Sequence, residues 1–211
     1  MFEKLKGILN RGEKIKQDDN YWIFASMLAG SILSLIASFV LSIEAVELAR
    51  NPHAVLSCSV NIILNCATVG LHPSAFMFGF PNSFIGLMAE PVVITVAIAG
   101  LSGVKFGRKF MFAAQIGYTL GFIFAYYLLG MSYFVIGALC PWCLLVTLTT
   151  TLVWFAITRY NIRENNLFLP SRLQKQLHAL VEKNYDKLAM VLLIIIVTFA
   201  ILIKYREGLF G

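Results

Sequence analysis

Four cysteines in a 211-residue chain fall into two pairs, Cys58 with Cys66 in CSVNIILNC and Cys140 with Cys143 in CPWC. Three residues apart on a helix, the sulfurs of CPWC share a face, with Cβ atoms about 5–6 Å apart. A bridge between them closes almost no loop and adds little stability, so a structural staple explains them poorly. Thiol–disulfide exchange explains them better. With Pro141 at the first helical position, Cys140 lies near the positive end of the helix dipole, where a thiol ionises more readily. Cys143, one turn deeper, faces the bilayer interior, where a lipid-soluble oxidant could reach it. The loop pair obeys a different geometry. A disulfide needs Cα atoms within about 7 Å, whereas eight residues of straight helix span about 12 Å. The loop must fold back whenever Cys58 and Cys66 are bonded. A mobile loop of this kind could offer Cys58 to a soluble partner and swing Cys66 toward Cys140. Inert disulfides are the alternative, most of all for the loop pair. Other chemistry fits less well. CPWC is followed by Leu144 rather than histidine, against covalent haem, and four-cysteine zinc sites usually sit in water-folded knuckles. No metal is expected.

The elements that must position these sulfurs are membrane helices. Hydrophobic residues make up 59% and charged residues 13%, and the mean hydropathy is +0.78. Soluble domains hold roughly 45–50% and about 25%, so a soluble globular, disordered or collagen-like chain is excluded. Five stretches approach the length of about 20 residues that crosses the hydrocarbon core: Tyr21–Ile43, Phe84–Gly103, Phe110–Leu129, Val135–Thr158 and the short Leu188–Ile203. Helices satisfy their own backbone in lipid, which predicts an all-α integral membrane fold. Lys and Arg sort by side: fourteen lie in residues 1–20, 104–109 and 159–187, against three (Arg50, Lys204, Arg206) elsewhere. The rule that positive loops stay inside predicts a cytoplasmic amino terminus and an extracytoplasmic carboxy terminus over 204–211. The basic excess is thus topological, and no nucleic-acid partner is expected. The long loop 44–80 and the CPWC end of span four then face the oxidising side. Residues 170–187 place Leu173, Leu177, Leu180 and Val181 on one stripe, an interfacial helix within the cytoplasmic segment 159–187 that braces spans four and five.

Three other features could bear on chemistry. Glu90 sits inside span two, where an ionisable group is a functional hypothesis by default; it either relays a proton or hydrogen-bonds a neighbouring helix beside Pro91. His53 and His72 flank the loop cysteines and could tune them, though loop histidines seldom do. Asn82 suits a helix cap.

Residues 21 to 158 resemble the vitamin K epoxide reductase family, in its bacterial, actinobacterial-type form. The ordered signature is Cys58-x7-Cys66, then FGFPNSFIG (Phe78–Gly86), then Cys140–Cys143 in the fourth span. The resemblance implies a four-helix catalytic core around a quinone pocket, with the fifth transmembrane helix outside it. It implies that Cys143 lies beside a menaquinone or ubiquinone ring, that Cys140 is its disulfide partner, that Cys66 reaches Cys140, and that Cys58 meets a DsbA-like, thioredoxin-fold protein. It implies quinone contacts from Asn82 and its neighbour Ser83, and a pocket capped by the apolar Ser74–Phe80, Phe80 included. Thr147 stands where vertebrate members have tyrosine, a shorter donor to the quinone. No thioredoxin-like domain follows span five here, so the partner is expected to be a separate protein. The implied activity is oxidation of exported dithiols at the bacterial plasma membrane. Reduction of vitamin K epoxide by the same cysteines, and a non-catalytic membrane protein with structural disulfides, are the alternatives.

Overall fold

A computed structural model describes all residues except 1, 60, 61 and 211, with side chains described from residue 19 to 206 outside that gap. Its elements in order are α1 (Phe2–Arg50), α2 (Cys66–Gly70), a short 3-10 turn (Pro73–Phe76), α3 (Ser83–Leu101), α4 (Arg108–Gly130) extended by a wider turn through Met131–Ile136, α5 (Pro141–Arg163), α6 (Ser171–Glu182) and α7 (Tyr185–Phe210). Five of these helices are long and apolar enough to cross a membrane. Among the described residues the chain is all-α, with one isolated backbone bridge between Leu64 and Leu139.

α1 is the central element and packs against both α3 and α5, while α4 lies on α5. Lipid offers no hydrophobic drive between helices, so close approach over small residues carries the packing. A methyl at Gly86 of α3 would stand 2.1 Å from Ser38 Oγ, one at Gly100 2.5 Å from the Phe24 ring, and one at Gly30 of α1 2.8 Å from Val153. Buried amides join α4 to α5: Asn161 donates to Gln115 Oε1 at 3.0 Å, and Gln115 donates to Thr158 at 2.9 Å. Outward faces of α4 and α7 carry exposed Ile, Leu and Phe side chains, the surface that lipid covers.

The two ends of the bundle differ. At the carboxy end of α5, buried Arg159 meets Asp186 at 2.8 Å, Asp19 at 3.4 Å and Asn184 at 3.1 Å, tying α1, α5 and the start of α7 together. A buried guanidinium is tolerated because it is paired in this way. α6 joins the same brace, since Gln174 donates to the Ile162 carbonyl and the Val181 carbonyl accepts from Arg159. Cysteines and their loop occupy the opposite end, about 34 Å away along 23 residues of α5.

Two boundaries differ from the hydropathy reading. Span four begins at Pro141, not Val135: residues 131–136 continue α4 as a wide turn, and Gly137 at φ +73° then reverses the chain. Ser132 Oγ donates to the Ala138 carbonyl at 2.9 Å and fixes that reversal. α1 runs seven residues past Ile43, to Arg50, so Glu44 belongs to a helix rather than to the loop.

Candidate redox site

The loop between α1 and α3 is stitched to the head of α5 by backbone alone. Leu139 N–H donates to the Ile63 carbonyl at 2.7 Å, and Asn65 N–H donates to the Leu139 carbonyl at 3.0 Å. This short parallel bridge brings residue 66 beside residue 140. Asn65 then caps α2, its side chain accepting from Thr68 N–H at 3.0 Å and from Ser59 at 3.2 Å. The fold-back demanded by the spacing is present: Cys58 and Cys66 are disulfide-bonded with Cα atoms 5.8 Å apart.

Cys140 and Cys143 are free thiols. Cys140 is the residue before Pro141 and caps α5, its sulfur accepting from Cys143 N–H at 3.3 Å. Cys140 Sγ lies 3.3 Å from Cys66 Sγ. The loop disulfide and the sulfur it exchanges with are therefore in van der Waals contact, the arrangement that disulfide exchange needs. Hydrogen bonding from the Cys143 side chain holds the Cys140 thiol below its usual range, against the upward push of burial. Neighbouring contacts thus run from Cys58 through Cys66 and Cys140 to Cys143.

Cys143 opens onto a cavity of about 700 Å³ enclosed by α1, α3, α4 and α5. Its wall is apolar apart from a few convergent groups, the usual make-up of a site for an organic cofactor. Ser83 lines it and accepts from Ser42 at 2.9 Å. Asn82 also lines it but does not cap α3: its amide donates to the Ser74 carbonyl at 2.7 Å, and its buried Oδ1 has no partner among the described residues. Glu90 Oε1 accepts from Ser34 at 2.8 Å and from Tyr118 at 3.5 Å, while its buried Oε2 is also unpartnered. The second amide hydrogen of Asn82, and Glu90 Oε2 when that carboxyl is protonated, can donate to the carbonyl groups of a flat ligand such as a quinone in this apolar cavity. Thr147 lines the cavity, yet its hydroxyl donates back to the Cys143 carbonyl at 2.9 Å.

Phe80 is not on this wall. Gly79, at φ +81°, turns the chain between the two aromatics, so Phe78 lines the cavity and Phe80 lies in a separate shallow groove with Phe84, Leu87 and Met88. His72 holds the 3-10 turn through Ser74 N–H and hydroxyl, and His53 is exposed. Neither histidine contacts a cysteine in the hydrogen bonds described.

One residue at the sulfurs was not expected from the sequence. Glu44 of α1 is buried, with Oε1 3.0 Å and Oε2 3.2 Å from Cys58 Sγ. Its signal lay in helical spacing: Ser34, Ser38, Leu41, Glu44 and Leu48 recur every three or four residues and line the cavity together. Glu44, Cys58 and Cys66 are close enough to share a metal ion, but the oxidised pair has no thiolate to bind one.

The family model for vitamin K epoxide reductase matches residues 25–158. That is most of the chain and all four helices around the cavity, and the chain belongs to this family. No curated protein matches it.

Proposed function

We propose that this chain, a vitamin K epoxide reductase family member and hence a membrane thiol oxidoreductase linked to quinone, draws its electrons from a DsbA-like dithiol protein and so makes disulfides for exported proteins. The observation that carries the reading is the 3.3 Å contact of Cys66 with Cys140 at the mouth of the cavity that Cys143 lines. A partner thiolate attacks Cys58 and Cys66 leaves with the electron pair. The partner's second thiol then resolves the mixed disulfide and departs oxidised. Cys66 attacks Cys140 of an oxidised Cys140–Cys143 pair, and Cys143 leaves as thiolate at the cavity wall. Return of Cys58 onto Cys66 frees Cys140 and restores the loop disulfide.

A menaquinone or ubiquinone bound in the cavity supplies the acceptor for two electrons and two protons. Asn82 can hold it, since one amide hydrogen is committed to Ser74 and the other remains to donate to a quinone carbonyl. Ser83 and Phe78 complete that side of the wall. Glu90 is positioned to hand on a proton, with Ser34 and Tyr118 orienting its other oxygen. Thr147 serves the helix more than a ligand. The distribution of Lys and Arg supports an extracytoplasmic disulfide loop at a bacterial plasma membrane.

The test is the purified chain fed a reduced thioredoxin-fold dithiol protein with a short-chain ubiquinone or menaquinone. Quinone absorbance falls with wild type, and Cys143→Ala removes the activity while the Cys58–Cys66 disulfide still forms. A wild-type chain that bleaches neither quinone refutes the proposal, as does full activity in Cys143→Ala.

A further inference from the structure

Cys58 must gain and lose a proton in every turnover, and the fold places a buried carboxyl against it. When the partner departs, Cys58 leaves as a thiolate and is protonated. Before it can return to Cys66, that proton must go. A free thiol with a pKa of about 8.5 is only a few per cent ionised at neutral pH. Among the described residues, the titratable groups around this sulfur are Glu44 from α1 in contact with it, its own partner Cys66 from α2, and beyond Cys66 the thiols of Cys140 and Cys143 at the head of α5. The described residues lining the cavity include no Lys, Arg or His, and its other carboxyl, Glu90, hydrogen-bonds Ser34 and Tyr118. Among the described residues, Glu44 alone combines contact with Cys58 and a carboxyl's capacity to exchange a proton.

We infer that Glu44 is the catalytic acid–base group of Cys58, holding the thiol's proton whenever Cys58 is bonded to another sulfur. The inference rests on the relay proposed above and adds a residue to it. In the closing step, Cys58 S–H gives its proton to the Glu44 carboxylate while its sulfur forms the bond to Cys66. The Cys66–Cys140 bond breaks, and Cys140 leaves with the electron pair, its charge met by Cys143 N–H. No electrons are gained or lost in this exchange. The closed state has the geometry this step requires. A disulfide sulfur carries no hydrogen, so a carboxyl oxygen 3.0 Å away is favourably placed only when the carboxyl carries the proton and donates to sulfur. When the next partner frees Cys58 as a thiolate, Glu44 returns the proton and the cycle closes. Ser57, whose hydroxyl reaches Glu44 Oε1 at 3.4 Å, stays within reach of either form.

Glu44→Gln keeps the size and polarity of the side chain and removes the proton exchange. Steady-state quinone reduction by a dithiol donor is followed from pH 6 to 9, with samples quenched in acid and alkylated to count disulfides by peptide mapping. General acid–base groups contribute about 10²–10⁴-fold, so kcat at pH 7 falls about 100-fold in Glu44→Gln while kcat/KM for quinone is little changed. The deficit shrinks about tenfold per pH unit up to about pH 8.5, as the thiol ionises unaided. Chains bridged Cys66–Cys140 accumulate during turnover, and Glu44→Asp recovers part of the rate. A Glu44→Gln profile parallel to wild type, or a loss equal at every pH, overturns the assignment while leaving the relay intact. A wild-type chain with no quinone reduction overturns both.

Discussion

Replacing Cys58 and Cys143 by serine leaves Cys66 and Cys140 as the two remaining cysteines, and the account requires that they bridge. Their sulfurs are 3.3 Å apart and need to close by only about 1.2 Å to reach bonding distance. The wild-type loop disulfide joins residues 8 apart in sequence, whereas the new one joins residues 74 apart. By the chain-entropy relation, the short loop is worth about 2.5 kcal/mol and the long one about 4.4 kcal/mol, so the new bridge stabilises by about 2 kcal/mol more. For a chain of this size each kcal/mol moves Tm by about 2–4 °C, so the gap between oxidised and reduced forms widens by about 4–8 °C. The assay is a pair of thermal melts in detergent, with and without reductant, beside alkylation and peptide mapping to confirm the bridge. Both cysteines remaining alkylatable after treatment with diamide would refute the reasoning, because the sulfurs would not then meet in the folded chain. A bridge that lowers Tm would refute it too, since the loop would have to leave its native place to form it.

Asn82→Ala removes the amide that faces the cavity and raises quinone KM about tenfold, the worth of one hydrogen bond of about 1.4 kcal/mol, with kcat little changed; an unchanged KM in the steady-state assay leaves Asn82 a tie to Ser74 only. Gly86→Ala forces a methyl to within 2.1 Å of Ser38 Oγ and costs about 1–3 kcal/mol of stability as α1 and α3 part. Ser38→Gly in the same chain recovers much of the loss, and a melt that shows neither effect contradicts the close packing.

Much of the site was legible because cysteine chemistry is set by spacing. CPWC placed two sulfurs on one face of a helix that begins at Pro141, and C-x7-C required a folded loop, as the closed Cys58–Cys66 disulfide shows. What escaped was set by backbone geometry that side-chain patterns do not report. Hydropathy runs unbroken from Val135 through CPWC, so the reversal at Gly137 is invisible to it. Gly79 likewise exchanges the places of Phe78 and Phe80. The bridge between Leu64 and Leu139, which sets Cys66 beside Cys140, pairs main chain to main chain over a long sequence distance and leaves no periodicity to read. Glu44 was hidden for another reason: a charge reads as the end of a span, whereas α1 carries it onward into the fold, against a sulfur.

The central claim is that both cysteine pairs discharge through one exit. Stoichiometry measures this directly. A fully reduced chain, freed of reductant and mixed with excess quinone, holds four electrons and forms two quinols per protein. Cys143→Ser keeps the Cys58–Cys66 dithiol but removes the exit, and forms none. One quinol from the Cys143→Ser chain, or only one from the wild type, would mean that electrons do not travel from Cys58 and Cys66 through Cys140 and Cys143.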